Sequence, residues 1–161
     1  MTGIISDNIS RASGLIKAGA GATGIVLQVV GATHATESET NSDSYADSGL
    51  DVIITPSATS SKILISATMG VQYLAGNTHY FTIFRDGSTD LSGGDAQGML
   101  QVTSTTGNHK VSATFLYLDS PSSTSALTYS IYGKAETSGD TVKMCSGDAA
   151  GQITAFEIDG S

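Results

Sequence analysis

The side chains best suited to catalysis or metal binding are three histidines, His34, His79 and His109, and one cysteine, Cys145. The histidines lie far apart and show neither the His-x-His nor the His-x-x-x-His spacing that places two metal ligands side by side. Cys145 has no histidine near it in the sequence, and a thiol without a neighbouring base is a weak nucleophile. We therefore expect a protein that is not an enzyme, with no metal and no cofactor, and interpret Cys145 as a buried structural thiol.

Two short motifs imitate ligand-binding loops. Gly19-x-Gly21-x-x-Gly24 matches the dinucleotide-binding pattern, but that motif must follow a strand and open a helix, whereas here it leads into a strand. We interpret it as a flexible joint. The run Asp86-Gly87-Ser88-Thr89-Asp90 resembles the start of a calcium-binding loop, but Gln97 stands where the loop needs a glutamate. The Asp-Gly pair between two strand-like segments instead predicts a hairpin turn.

The composition excludes several partners. The chain has 161 residues, with 7 Lys+Arg against 15 Asp+Glu, for a net charge of -8. Such an acidic chain is repelled by phosphate backbones and by anionic lipid, so we expect neither nucleic-acid nor membrane binding. A single cysteine allows no intrachain disulfide. The N-terminus lacks the charged start and apolar core of a secretory signal, and we expect synthesis in a reducing cytoplasm.

Alternating apolar and polar residues predict an all-β fold. The pattern is clearest from Ile63 to Val71, where every second side chain is apolar, as expected for a strand with one face in a core. The predicted strands are Ile25–Val30, Thr33–Thr40, Asp51–Thr55, Lys62–Tyr73, His79–Asp86, Met99–Ser104, Lys110–Asp119, Ala126–Ala135, Thr141–Cys145 and Gln152–Ile158. Many strands at short spacing, separated by turn residues, indicate an antiparallel β-sandwich of the jelly-roll kind over residues 24–161.

We call the predicted sandwich over residues 24–161 the head domain. Residues 1–23 differ from it, and we interpret them as an anchoring arm followed by a Gly-rich joint. Ile5, Ile9, Ala12 and Ile16 are spaced by four, three and four, which is the seam spacing of a short amphipathic helix. A helix this short needs a partner surface, and the alternative is a frayed tail. The residues predicted to bind a partner are Ile4, Ile5, Ile9, Ala12, Leu15 and Ile16.

Several strands carry bulky side chains on both faces. On the strand His79–Asp86, Tyr80 and Phe84 lie on one face while Phe81 and Ile83 lie on the other. An exposed sandwich face is usually polar, so an apolar outer face must be covered by a loop or by another subunit. We favour a subunit and therefore predict a homo-oligomer. A trimer is the arrangement that fits a jelly roll preceded by a short helix with an apolar seam.

The sequence also resembles a known group of proteins. The segments that carry the resemblance are MTGIISDNISRASGLIKA, GIVLQVV, SGLDVIITPSATSSKILISATMG, FTIFRDGSTDL and LDSPSSTSALTYSIYGKAE, which together reach from Met1 to Glu136. They resemble short β-rich structural proteins of tailed phages, particularly cyanophages, which are usually described as tail-fibre or virion proteins. The strand layout also resembles the trimeric jelly-roll heads of the tumour-necrosis-factor and complement type, as a likeness of fold only.

The resemblance implies a component of a virion and no enzymatic activity. We expect a trimeric capsid decoration, or cement, protein that docks through its N-terminal arm on other virion proteins. The alternative is a tail fibre or receptor-binding appendage that contacts host-surface glycan, and a third class is an enzyme such as a depolymerase. A fibre needs a shaft, and a helix of about 12 residues spans only ~18 Å, which favours decoration.

Overall fold

Eleven β-strands make up the regular structure of the residues that the computed structural model describes, which are 24–73, 76–146 and 150–160. Within these ranges there is no helix. The strands are β1 (Val26–His34), β2 (Ser38–Thr40), β3 (Ala46–Ile54), β4 (Lys62–Tyr73), β5 (Thr78–Arg85), β6 (Thr89–Asp90), β7 (Leu100–Thr103), β8 (His109–Asp119), β9 (Leu127–Ala135), β10 (Val142–Met144) and β11 (Gly151–Ile158).

The first sheet is organised around the long strand β4. On one side β4 pairs with β8 along its whole length, from Ile63 opposite Asp119 to Tyr73 opposite His109. On its other side β4 pairs first with β11 and then with β10. Beyond these two strands, β1 pairs with β11 and β2 pairs with β10, all antiparallel. The sheet is therefore four strands wide when β10 with β11, and β1 with β2, are each counted as one position, and we call these four positions ranks. β8 lies at the edge opposite β1 and β2.

The second sheet runs in the order β3, β9, β5, and both β6 and β7 pair with the far side of β5. When β1 with β2, β6 with β7, and β10 with β11 are each counted as one interrupted strand, the first sheet reads 1-8-3-6 and the second 2-7-4-5. Eight antiparallel strands in two packed four-stranded sheets with these orders form a jelly roll. The predicted all-β sandwich is confirmed.

The core lies between the two sheets and follows the predicted alternation. On β4 the side chains of Ile63, Ile65, Ala67, Met69 and Val71 are all buried, whereas the intervening side chains are partly or fully exposed. The second sheet supplies the opposite half of the same cluster from β3, β5 and β9. Full burial of one such aliphatic side chain contributes roughly 1.5–3 kcal/mol. This single shared core holds the two sheets face to face.

Several predicted boundaries were wrong. The segment Thr33–Thr40 is not one strand, because β1 continues to His34 and β2 begins at Ser38, where the partner strand changes from β11 to β10. The third strand starts at Ala46, earlier than predicted, since its polar first residues pair with β9 across a shift in register. The predicted Asp-Gly hairpin is confirmed: Asp86 and Gly87 have φ values of 52° and 66° between β5 and β6.

Candidate interaction surfaces

The predicted arm lies outside the residues that the structure describes. This applies to all six predicted partner-binding residues, which are Ile4, Ile5, Ile9, Ala12, Leu15 and Ile16. The described chain begins at Gly24, whose amide donates to the carbonyl of Asp159 at 3.1 Å, and the amide of Asp159 donates to Ile25 at 2.8 Å. Residues 1–23 therefore join the head at the end of the first sheet where β1 and β11 pair.

An apolar row crosses the outer face of the first sheet close to this junction. The backbone register places Val29 opposite Phe156, Phe156 opposite Leu64, and Leu64 opposite Leu118, so that all four ranks contribute one side chain. Val29 is 55% exposed and Leu118 is 48% exposed. Next to Leu118 on the same face, Leu116 is 72% exposed. We call Val29, Phe156, Leu64, Leu118 and Leu116 the apolar row.

The two rows that follow the apolar row toward β2 and β10 carry no charge. One contains Gly31, Thr154 and Ser66 in register with Leu116, and the next contains only threonines and Gln152. Their small side chains leave two shallow depressions of about 370 and 340 Å³. Charged residues on this face stand at its two ends, with Lys62 at one end and Glu39, Lys143 and Lys110 at the other. A face whose central rows are uncharged and partly apolar is unusual on a chain with a net charge of -8.

A cleft of about 420 Å³ opens beside β8, where the edges of the two sheets separate. Its lining residues are Leu91, Ser92, Asp95, Gly98, Met99, Thr114, Phe115, Leu116 and Tyr117. One wall is β8, which in the described part of the chain pairs only with β4, and the other is the segment that joins β6 to β7. Leu91 and Phe115 form a buried apolar floor, and Asp95 stands exposed at the rim. We call this the edge cleft.

Gly98 fixes the second wall of the edge cleft. Its φ is +68°, and a Cβ there would lie 2.6 Å from the Phe81 carbonyl oxygen. The next amide, that of Met99, donates to the same Phe81 carbonyl at 2.8 Å. Only a residue without a side chain allows the segment to come this close to β5.

Aromatic side chains cover the outer face of the second sheet. The Tyr45 and Phe84 ring centroids are 5.6 Å apart, and the Phe84 and Tyr132 centroids are 4.3 Å apart. The Lys134 ammonium lies 4.7 Å from the Tyr45 centroid and 5.5 Å from that of Tyr80. Bulky side chains on both faces of β5 are thus confirmed, but on this sheet Tyr45 of the same chain provides cover. Burial and the nearby Asp90 and Asp95 raise the pKa of Tyr45 to about 12.

Glu157 is a buried carboxylate that sequence reasoning missed. Its oxygens accept hydrogen bonds from the Ser57 amide (2.6 Å), the Ser57 and Ser61 hydroxyls (2.6 and 2.7 Å) and the Gln28 side-chain amide (2.7 Å). Burial alone would raise its pKa, but the hydrogen bonds from the two serines and Gln28 lower the pKa to about 2. The carboxylate is saturated with donors and ties the loop after β3 to β11. No local sequence pattern predicts this role, because the hydrogen-bond partners of Glu157 lie far away in the sequence.

A second buried carboxylate, Asp119, ends β8. Its Oδ2 accepts from the Arg85 guanidinium at 2.6 Å and from the Tyr129 hydroxyl at 2.8 Å. Burial raises the pKa of Tyr129 far above its usual range. The three side chains tie β5, β8 and β9 together across the core, which is a structural arrangement of satisfied partners.

The three histidines and the cysteine occupy different segments of the fold. His34, His79 and His109 stand on three different strands, and in residues 24–73, 76–146 and 150–160 no three His, Cys, Asp or Glu side chains are arranged to hold a metal. Cys145 follows β10 and is buried, and burial raises the pKa of its thiol. Over the same ranges no helix is long and apolar enough to cross a membrane.

Comparison of the chain with known proteins adds no relative. No protein-family model matches the chain, and no curated protein matches it. The likeness to phage structural proteins therefore rests on the sequence segments alone.

Proposed function

We propose that this chain is a non-enzymatic structural protein of a phage virion, a homotrimeric capsid decoration protein. Its β-sandwich forms the head, and residues 1–18 dock on another virion protein. The observation that carries the proposal is the outer face of the first sheet, with its apolar row and the two uncharged rows that follow it. Such a face is typical of a surface that another protein covers.

Copies of the same chain suit this face. The chain carries a net charge of -8, so two arbitrary surfaces of two copies repel each other. The neutral rows of Gly31, Thr154, Ser66 and Gln152 let copies approach without that repulsion, while the apolar row gains from being removed from water. This favours self-association through the first sheet and leaves the second sheet facing outward.

The arm supplies attachment. Burial of each of the isoleucines Ile4, Ile5, Ile9 and Ile16 on a partner contributes roughly 1.5–3 kcal/mol. Three arms on one trimer add avidity, because after the first arm binds the other two are held at high local concentration. Attachment by several weak contacts suits a protein that must settle on an already assembled shell.

The test is attachment to particles assembled without this protein. A variant lacking residues 1–18 is expected to fold and to keep the mass of three chains, yet to fail to co-sediment with particles. Ile9→Asp should weaken attachment by more than tenfold, since a charge placed at an apolar contact opposes burial. The matched control is Ile53→Asp on the outer face of the second sheet, where Ile53 is 57% exposed. Full attachment of the truncated variant would refute the arm's role.

A tail appendage that contacts host-surface glycan is the second candidate. The aromatic cluster of Tyr45, Phe84 and Tyr132 favours it, because it lies beside carboxylates such as Asp90 on the outward face. Rings and carboxylates together suit the apolar and hydroxyl faces of a sugar. Electron microscopy of particles carrying labelled protein distinguishes the two: label over the capsid supports decoration, and label at the tail supports the appendage.

A further inference from the structure

We propose that the edge cleft of one copy receives β1 of the next copy, so that two different surfaces of the chain form one head-to-tail contact. The inference rests on the proposed self-assembly and names the surfaces that perform it. The occupant of the cleft is thus a second copy of this chain, presenting the aliphatic side chains at the start of its first strand.

The start of β1 is built to present these side chains. Val26, Leu27 and Val29 are 51%, 47% and 55% exposed. Val26 pairs with Ile158 and Gln28 with Glu157, so Leu27 is an extra residue without its own partner on β11. Such a bulge redirects side chains at the edge of a sheet. It leaves three aliphatic groups in water within four residues, and no charged residue stands between Ile25 and Thr33 to protect this edge strand.

The edge cleft is the complementary surface. Its buried floor of Leu91 and Phe115 is apolar, and the half-buried Met99 and Tyr117 continue it to the opening. Leu116 at its margin also belongs to the apolar row, so the cleft and the face of the first sheet form one continuous surface. A cleft of about 420 Å³ can accept small aliphatic side chains such as valine and leucine.

Charge also matches across the proposed contact. Val26 lies in register with Ile158, and Ile158 with Lys62, so the exposed Lys62 lies in the same row as Val26, two strands away at roughly 10 Å. At the rim of the cleft stands the exposed carboxylate of Asp95. The pairing of Lys62 with Asp95 of the next copy would therefore set the register of the contact, with opposite charges at the rim and apolar groups at the centre.

The contact has to be head-to-tail. β1 and β8 stand at opposite edges of a four-rank sheet, which at about 4.8 Å per rank places them roughly 14 Å apart. The two surfaces are therefore distinct, and each copy offers one of each. A contact between unlike surfaces builds a closed ring when the rotation between copies allows it, and three copies make the trimer of the proposed function.

Two variants of the full chain test this arrangement by analytical ultracentrifugation. Val29→Glu disables the β1 side and Leu116→Glu disables the cleft side, while both residues are already exposed in the single chain and tolerate a polar group. Each variant alone is expected to have the mass of one chain, with self-affinity weakened on the order of a hundredfold or more. An equimolar mixture is expected to form heterodimers, because each such pair contains one intact contact. Ile53→Glu is the matched control and keeps the mass of the unsubstituted protein.

Charge reversal tests the register. Lys62→Asp and Asp95→Lys are each expected to weaken association about tenfold, and the double variant to recover most of the loss. A single-chain mass for the unsubstituted protein, unchanged masses for both glutamate variants, or a mixture that stays monomeric would overturn the inference. So would dissociation on removing residues 1–18 with no effect of Val29→Glu, because the arm would then be the occupant.

Failure of this inference and failure of the proposed function give different results. A protein that assembles as described but does not bind particles refutes only the decoration role. A protein that binds particles through its arm, while Val29→Glu and Leu116→Glu leave its mass unchanged, refutes only the head-to-tail contact. Circular dichroism of every variant establishes that the sandwich is intact before masses are compared.

Discussion

Replacing Glu157 by glutamine should destabilise the head strongly, although the two side chains have nearly the same shape. The carboxylate accepts four hydrogen bonds, three of them on Oε1 from Ser57 and Ser61 and one on Oε2 from Gln28. In the variant, the new amide nitrogen faces the amide nitrogen of Gln28, so two donors meet. Gln28 cannot turn its oxygen inward without losing its hydrogen bond to the Thr55 carbonyl, at 2.7 Å.

The magnitude follows from these bonds. A buried donor left without an acceptor costs about 1–3 kcal/mol, and three bonds that lose their charge weaken by several tenths of a kcal/mol each. We expect a loss of about 3 kcal/mol in the free energy of unfolding at pH 7. For a chain of this size that corresponds to a fall in Tm of about 6–12 °C.

The contribution of Glu157 to stability also depends on pH, in a direction set by its lowered pKa. The pKa of Glu157 is lowered in the folded protein from 4.5 to about 2. Its contribution is therefore complete above the unfolded pKa and is lost as the pH falls from about 4.5 toward 2. Glu157→Gln should show a smaller loss of stability through this window, because it has no group there to protonate. The difference in free energy of unfolding between the unsubstituted protein and Glu157→Gln should therefore become smaller as the pH falls.

Urea unfolding at fixed protein concentration, followed by circular dichroism from pH 7 down to pH 2.5, measures both effects. The matched control is Glu136→Gln, since Glu136 is exposed and accepts one described hydrogen bond, from the Tyr80 hydroxyl at 2.7 Å. The Glu136→Gln substitution should lower the free energy of unfolding by less than about 1 kcal/mol. If Glu157→Gln cost no more than this control, or kept the full pH dependence, the donor-saturated carboxylate would not be what stabilises this end of the sandwich.

Three further changes test other parts of the fold. Gly133→Ala should destabilise by about 1–3 kcal/mol in urea unfolding, because a Cβ would lie 2.6 Å from the sulfur of Met144; a neutral effect would show that this part of the core is loosely packed. Tyr129→Phe should cost about 1–2 kcal/mol by removing a buried donor to Asp119, and an unchanged midpoint would contradict that hydrogen bond. The Cys145 thiol, which is buried and has a raised pKa, should react with iodoacetamide at least tenfold more slowly in the folded protein than in urea, as followed by mass spectrometry; equal rates would contradict its burial.

Strand positions with strong alternation could be predicted from sequence. β4 was predicted with the bounds Lys62–Tyr73 that the structure has, since its inward side chains are apolar and its outward ones are mostly small or polar. The Asp86-Gly87 turn was equally predictable, because its backbone angles suit few other residues. In both cases the signal lies within a few neighbouring residues.

Features that depend on a distant partner could not be predicted. The start of β3 at Ala46 depends on pairing with β9, and the break between β1 and β2 depends on the change of partner from β11 to β10. The burial of Glu157 depends on Ser57 and Ser61, which are about a hundred residues away. Polar residues carry no periodic signal of their own, so only the assembled sheets show where they belong.

Some properties of the surfaces could likewise be predicted from sequence, whereas others depend on the tertiary structure. Sequence alone determined that this chain is an acidic, antiparallel β-protein with apolar side chains on both faces of several strands, because alternation and charge are local properties. Only the tertiary structure decided which of those outward residues meet. It brings Val29, Leu64 and Leu118 into one row from strands far apart in the chain, whereas it covers Phe84 with the chain's own Tyr45. The physical reason is that register between strands, which sets these neighbours, is decided by how the two sheets close over a common core.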